Sequence, residues 1–163
     1  MKHASGYSAT QIGLHWIVTV LVAGQYIFKD SISHAWEAYT QGQETAFSLL
    51  VFAHVAGGVV ILAFVFWRLV LRLTHGVPPA PANEPGALRT LSHVAHWGFY
   101  AVLAAMSVTG GMMWFGDIAA AAQAHNLLKI VLLAMIALHV LAVPFHRIVL
   151  KNNVMSRMIR PGA

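Results

Sequence analysis

Ten of the 163 residues are histidine, against five acidic residues and no cysteine. Two of them, His125 and His139, bracket an apolar run that holds a single charge, Lys129. Fourteen residues of α-helix make nearly four turns. The two imidazoles therefore share one face, within about 40° of each other and about 21 Å apart along the axis. That rise fits inside a hydrocarbon core about 30 Å thick. Neutral imidazole is a strong transition-metal ligand, and two on one face at two depths are what a pair of stacked haems needs from one helix. A single histidine in an apolar face is more often a buried polar residue satisfied by hydrogen bonds. The metal reading gains force only if other helices bring partners to the same two depths.

The composition says where such helices lie. The chain is 58% hydrophobic and only 9% charged. A soluble domain carries about 25% charged residues, so this chain belongs in a membrane. The length accommodates about four spanning helices of about 20 residues with their loops. Net charge is +5, but the basic residues flank apolar runs, which points to membrane topology and away from nucleic acid. The absence of cysteine excludes disulfides, thiolate haem ligation and cysteine-held iron–sulfur clusters within the chain.

The expected fold is all-α, an integral membrane four-helix up-down-up-down bundle, with residues 1–163 forming one domain. The helices are expected at about 11–28, 45–70, 88–113 and 121–150. Ser8 or Thr10 is placed to cap the first. That stretch is too long for a removed signal peptide and lacks a small-residue cleavage site. A polar loop is expected over 29–44. A linker over 76–87 holds Pro78, Pro79, Pro81 and Pro85, which exclude helix there. Pro144 falls inside the fourth span. Lys2, Arg68, Arg72, Arg89, Arg147, Lys151, Arg157 and Arg160 fall at the end shared by both termini and the proline linker. Lys29 and Lys129 fall at the other, with Asp30, Glu37, Glu44 and Asp117. The positive-inside rule then makes both termini cytoplasmic, in a multi-pass protein of a bacterial inner membrane.

Depth sorts the histidines. His15 lies near the cytoplasmic end of the first span and His139 in the cytoplasmic half of the fourth. His54 lies in the outer half of the second span and His125 near the outer end of the fourth. The pairs are His15 with His139 and His54 with His125, and each pair offers two axial nitrogens. Gly57 and Gly58 lie one turn from His54 on its face, where missing side chains admit a flat ring system, although glycine also serves ordinary helix packing in membranes. His93 and His96 open the third span, and His146 lies seven residues beyond His139. His96 and His146 are candidates for touching a quinone head group or a haem propionate. Arg68, Arg72 and Arg147 are candidates for pairing with propionates, although arginines there also serve as topology anchors. The five tryptophans mostly fall near span ends, as in an aromatic belt.

Several segments together resemble the bacterial cytochrome b561 family over nearly the whole chain. They are Leu14-His15-Trp16, Ala53-His54-Val55, Leu91-Ser92-His93-Val94-Ala95-His96, His125, His139 with His146, and the tail Lys151-Asn152-Asn153-Val154-Met155-Ser156-Arg157-Met158. The resemblance implies two b-type haems with His15, His54, His125 and His139 as iron ligands, and membrane electron transfer involving quinone. One branch of the family oxidises superoxide at the outer face and reduces ubiquinone. The position after His125 is often acidic in the family and is Asn126 here; a second histidine often follows the one at His146, where Arg147 stands.

The expected function is transmembrane electron transfer through two bis-histidine b haems. It is linked to quinone, with superoxide or a redox protein as donor. Bis-histidine ligation leaves no open iron position, so each haem passes electrons and does not bind oxygen. Superoxide oxidation asks for a positive field at the outer face, where the side chains named above sum to about −2 (two lysines against four acids). A second possibility makes the chain the haem b membrane subunit of a larger oxidoreductase. The alternative from another class is a histidine-based metal or proton transporter, which usually places carboxylates within its spans; no Asp or Glu lies deep in these runs.

Overall fold

The computed structural model describes residues 6–44 and 46–162. Five α-helices are formed, with no strand among the described residues: α1 Ala9–Ile27, α2 Lys29–Thr40, α3 Leu49–His75, α4 Gly86–Gly116 and α5 Ala119–Ile148. A short 3-10 turn follows at Val154–Met158. Three of these helices, α3, α4 and α5, are each long and apolar enough to cross a membrane. Helix α1 counts as a fourth span only together with α2, from which it is bent by 53°. Gln11, His15 and Gln25 lower the hydropathy of α1.

The helix ends follow from local chemistry. Ser8 closes a capping box with Gln11 at the start of α1. The Ser48 hydroxyl accepts from the Val51 N–H, so α3 starts at Leu49; Thr45, the expected start, lies outside the described residues. Helix α3 runs past 70 to His75, α4 fills Gly86–Gly116, and α5 ends at Ile148, two residues short of expectation. Lys151 then takes a left-handed conformation, φ 54°, that turns the chain back.

One expectation is corrected. Residues 29–44 are not all loop, because Lys29–Thr40 is helical. Ile32, Ala35 and Trp36 recur at helical spacing and are half-buried on α2, which packs on α3. The low overall hydropathy of the segment hid this amphipathic stripe.

The helices pack in the order α1 on α3, α3 on α4 and α4 on α5. No comparable packing of α1 on α5 is found among the described residues. That seam is bridged by side chains: the Tyr26 hydroxyl donates to the Lys129 carbonyl at 2.6 Å, and the Trp16 indole donates to the Met158 carbonyl at 2.8 Å. The core is Val18, Val22, Ile61, Val65 and Leu132. Large apolar side chains such as Phe66, Leu138 and Leu141 face outward, as they must where the surroundings are lipid. One end of the molecule is tied together by hydrogen bonds. Gln11 donates to the Gly76 carbonyl at 3.1 Å, Arg157 to the Pro79 carbonyl at 2.7 Å and Asn83 to the Leu150 carbonyl at 3.3 Å. We call this the tied end.

Candidate haem site

The histidines gather in two clusters, one toward each end of the bundle. Toward the tied end, the His15 ring on α1 faces the His139 ring on α5, with centroids 6.3 Å apart and planes at 62°. A metal–imidazole nitrogen bond is about 2 Å, and an imidazole centroid lies about 1 Å from its own nitrogens. Two imidazoles meeting one metal from opposite sides therefore have centroids about 6 Å apart. The pair expected from depth matching is thus in contact across the α1–α5 seam. His96 from α4 also meets His139, at 6.0 Å, and Phe99 lies 5.3 Å from the same ring.

Tautomers follow from the partners. His96 Nδ1 faces the Ser92 carbonyl at 2.6 Å. A carbonyl only accepts, so Nδ1 carries the proton and Nε2 keeps its lone pair. Arg68 from α3 does the reverse to His15, since a guanidinium only donates and lies 3.2 Å from Nδ1. That bond leaves the proton on Nε2 of a neutral ring. Metal ligation through Nε2 requires Arg68 to release Nδ1. Arg72, one turn on, stacks its guanidinium over Trp97 at 5.6 Å and Tyr100 at 6.0 Å, tying α3 to α4. Trp97 also donates to His93 Nε2 at 3.1 Å.

In the other half of the bundle, His125 Nδ1 donates to the Met106 carbonyl at 3.0 Å, with the Thr109 hydroxyl at 3.3 Å. This is the second-layer bond that orients metal-bound histidines and frees Nε2. Gly110 lies against this ring, and a Cβ there would sit 3.1 Å from its Cε1. His54 comes within electrostatic range of His125 without the ring contact that joins His15 and His139. Its Nδ1 is buried and has no partner. A cleft of about 180 Å³ opens beside it, lined among others by Gly24, Gln25, Ala53 and Gly57. A Cβ on Gly57 would collide with the Gln25 amide, while one on Gly58 would meet nothing. The opposed rings, the Nδ1–carbonyl bond, the orphaned Nδ1 and the glycine-lined cleft fit a flat prosthetic group held by imidazole nitrogens.

His146 lies apart from the ring cluster, its Nε2 3.8 Å from Glu84 Oε1. Glu84 is buried at 7% exposure although it comes from the proline linker. The His146 Nδ1 and the Asn152 amide nitrogen beside it are buried without partners. Glu84 was missed by sequence reasoning, which looked for acids only within the spans; its signal was being the lone acid at the basic end. Gln25, a polar residue in an apolar run that donates to the His54 carbonyl at 3.2 Å, was missed for a similar reason. Among the described residues no group of three or more His, Asp or Glu gathers as a bare-metal site.

The family model of prokaryotic cytochrome b561 matches residues 6–161. A cytochrome b562 of Cereibacter sphaeroides is 30% identical over 165 residues, covering 99% of both chains. A probable superoxide oxidase CybB of Yersinia pestis is 29% identical over 174 residues, covering 94% of this chain and 95% of its own. Together with the apolar helices and clustered imidazoles, these matches make this a multi-pass bacterial membrane protein of electron transfer that carries haem b: the chain belongs to the prokaryotic cytochrome b561 family.

Proposed function

We propose that the chain carries electrons across the membrane through two b haems, in an up-down-up-down bundle of α1, α3, α4 and α5 with the tied end cytoplasmic. His15 and His139 hold one haem, and His54 and His125 hold the other. The observation that carries this reading is the meeting of the His15 and His139 rings, their centroids 6.3 Å apart across the seam between α1 and α5. When bound at these histidines, haem b would supply one-electron transfer. The chain fixes the rings. Met106 holds His125 in the ligating tautomer, and Arg68 leaves His15 Nδ1 to meet a propionate. Arg72 is a weaker candidate for propionate, because its guanidinium is engaged on Trp97 and Tyr100.

Ubiquinone is the proposed acceptor, reached from the lipid near His96 and His146. Its reduction to quinol takes two electrons and two protons. Glu84 and His146 hold and pass a proton between Oε1 and Nε2 beside that site. The donor is superoxide or a redox protein. As donors, two superoxide ions each lose one electron and leave as dioxygen. The name of the Yersinia pestis relative favours superoxide. The charge at the outer face does not, since Lys29 is engaged with Asp30 at 2.5 Å and Lys129 with Asn126 at 3.2 Å. A role as haem subunit of a larger oxidoreductase would supply a protein donor at that face.

The test is haem counted per chain in detergent-purified protein, with spectra oxidised and reduced. Two low-spin b haems are expected, falling to one in H139A and to one in H54A. One haem in the parent protein would remove one pair. No haem, with adequate haem supply, would end the reading and leave metal or proton handling in its place.

A further inference from the structure

A cleft of about 280 Å³ lies at the tied end, between the end of α5 and the folded-back tail. Arg147, Asn153, Met155, Ser156, Ile159 and Arg160 line it. The proposed haem and quinone sites use none of them; Arg147, a candidate propionate partner by sequence, lines this cleft. The walls are held in place. Lys151 reverses the chain at φ 54°, the Asn152 N–H donates to the His146 carbonyl at 2.8 Å, and Trp16 and Arg157 pin the turn that follows. His146 turns inward to Glu84, so Arg147, its neighbour on the helix, is exposed and faces outward.

Among the described residues, no acidic group compensates the charge in the cleft. Neither Arg147 nor Arg160 meets a carboxylate among the described residues. Glu84 is engaged with His146, and Asp30, Glu37, Glu44 and Asp117 belong to the opposite end by sequence position. Two guanidiniums offer several donors and no charged acceptor, which is the chemistry that takes a phosphodiester; the Ser156 hydroxyl gives its one proton to the Asn153 carbonyl at 2.7 Å and helps hold the wall. The remaining walls, Met155 and Ile159, are apolar. Beside Arg147, Ile148 and Val149 are 72% and 60% exposed, as lipid-facing residues at a helix end are. A ligand with a phosphate head and hydrocarbon attached fits both halves.

We propose that this cleft binds the head group of an anionic phospholipid, with Arg147 and Arg160 clamping the phosphate and the acyl chains leaving along Ile148 and Ile159. Basic pockets at the inner surface of a membrane bundle are suited to such head groups. The cleft then holds one lipid in a fixed place and clamps the tail onto α5.

The test uses the full-length, haem-loaded protein, delipidated in a zwitterionic detergent and titrated with phosphatidylglycerol or phosphatidylcholine. Adducts are counted by native mass spectrometry. Each basic group near an anionic surface contributes about fivefold in affinity. R147Q/R160Q should therefore lose about 25-fold for phosphatidylglycerol and bind the two lipids alike. R89Q, at the same end but outside the cleft, should change nothing. An unaltered haem spectrum reports that each variant is folded. Should the double variant fail that check, R160Q alone should lose about fivefold. Equal binding of both lipids by the parent protein, or full phosphatidylglycerol affinity in the variants, overturns the proposal. Displacement of phosphatidylglycerol by millimolar inorganic phosphate also overturns it, since the ligand is then free phosphate and no lipid.

Discussion

Gly110 is the position where one methyl group tests the proposed pairing of His54 with His125. A Cβ there would sit 3.1 Å from His125 Cε1 and 3.3 Å from Nδ1, about 0.3 Å inside ordinary contact at 3.4 Å. The ring cannot back away freely, because Nδ1 is bonded to the Met106 carbonyl at 3.0 Å with Thr109 beside it. G110A has two opposed effects. Replacing glycine in a helix interior stabilises the helix by up to about 1 kcal/mol. Displacing the ring weakens a hydrogen bond whose net value is about 1 kcal/mol, so global stability should change little. Haem affinity should not be spared. Losing the bond that orients a metal-bound histidine costs about 10–100-fold in affinity, and a partial displacement should cost about tenfold. Haem is titrated into apoprotein and followed by the low-spin absorption band. G110A should fill one site as the parent does and the other about tenfold more weakly, while G110V should retain a single haem. Two haems of unchanged affinity in G110V would refute the reasoning, because His125 would then have no fixed ligating position to lose.

Three further expectations concern charge. R68Q removes a cation from His15, and a cation stabilises an added electron, so the midpoint potential of one haem should fall in a redox titration while the other is unmoved. E84Q keeps the shape of the buried acid but not its charge. It should leave haem content intact and slow quinol formation in a quinone-reduction assay. Lys29 holds the Asp30 carboxyl below the usual carboxylate range, first through the hydrogen bond and then through its charge. The folded-state value is depressed, so the pair's contribution is present above the ordinary aspartate pKa and is lost as pH falls through the lowered one. In K29Q the Asp30 titration followed by NMR should move up; an unmoved curve would show the pair to be absent in solution.

Much of the placement of the imidazoles could be read from the sequence because helix geometry is rigid. Fourteen residues of α-helix fix where His139 stands relative to His125 whatever the neighbours do, and His15 falls at the depth of His139 by residue counting alone. What escaped was whatever depends on side chains from non-adjacent elements. The Arg68 bond to His15 crosses from α3 to α1, and nothing in the spacing of either helix announces it. Glu84 reads as a surface acid in a proline linker, yet that linker folds its carboxylate against His146. Helix α2 was hidden because hydropathy was averaged over a polar segment whose apolar residues lie on one face. The glycines divide in the same way. Gly57 and Gly58 look equivalent in sequence, but only Gly57 is pressed by a neighbour, the Gln25 amide.

Both proposed pairs take one member from α5, the last of the long helices to leave the ribosome. A nascent chain that has made α1, α3 and α4 already holds His15 and His54, each without its opposite ring. On the proposed pairing, neither haem site can be complete before the other. A chain interrupted before His125 then lacks one ring of each pair and has no complete haem site. On that pairing, the arrival of α5 completes both haem sites at once.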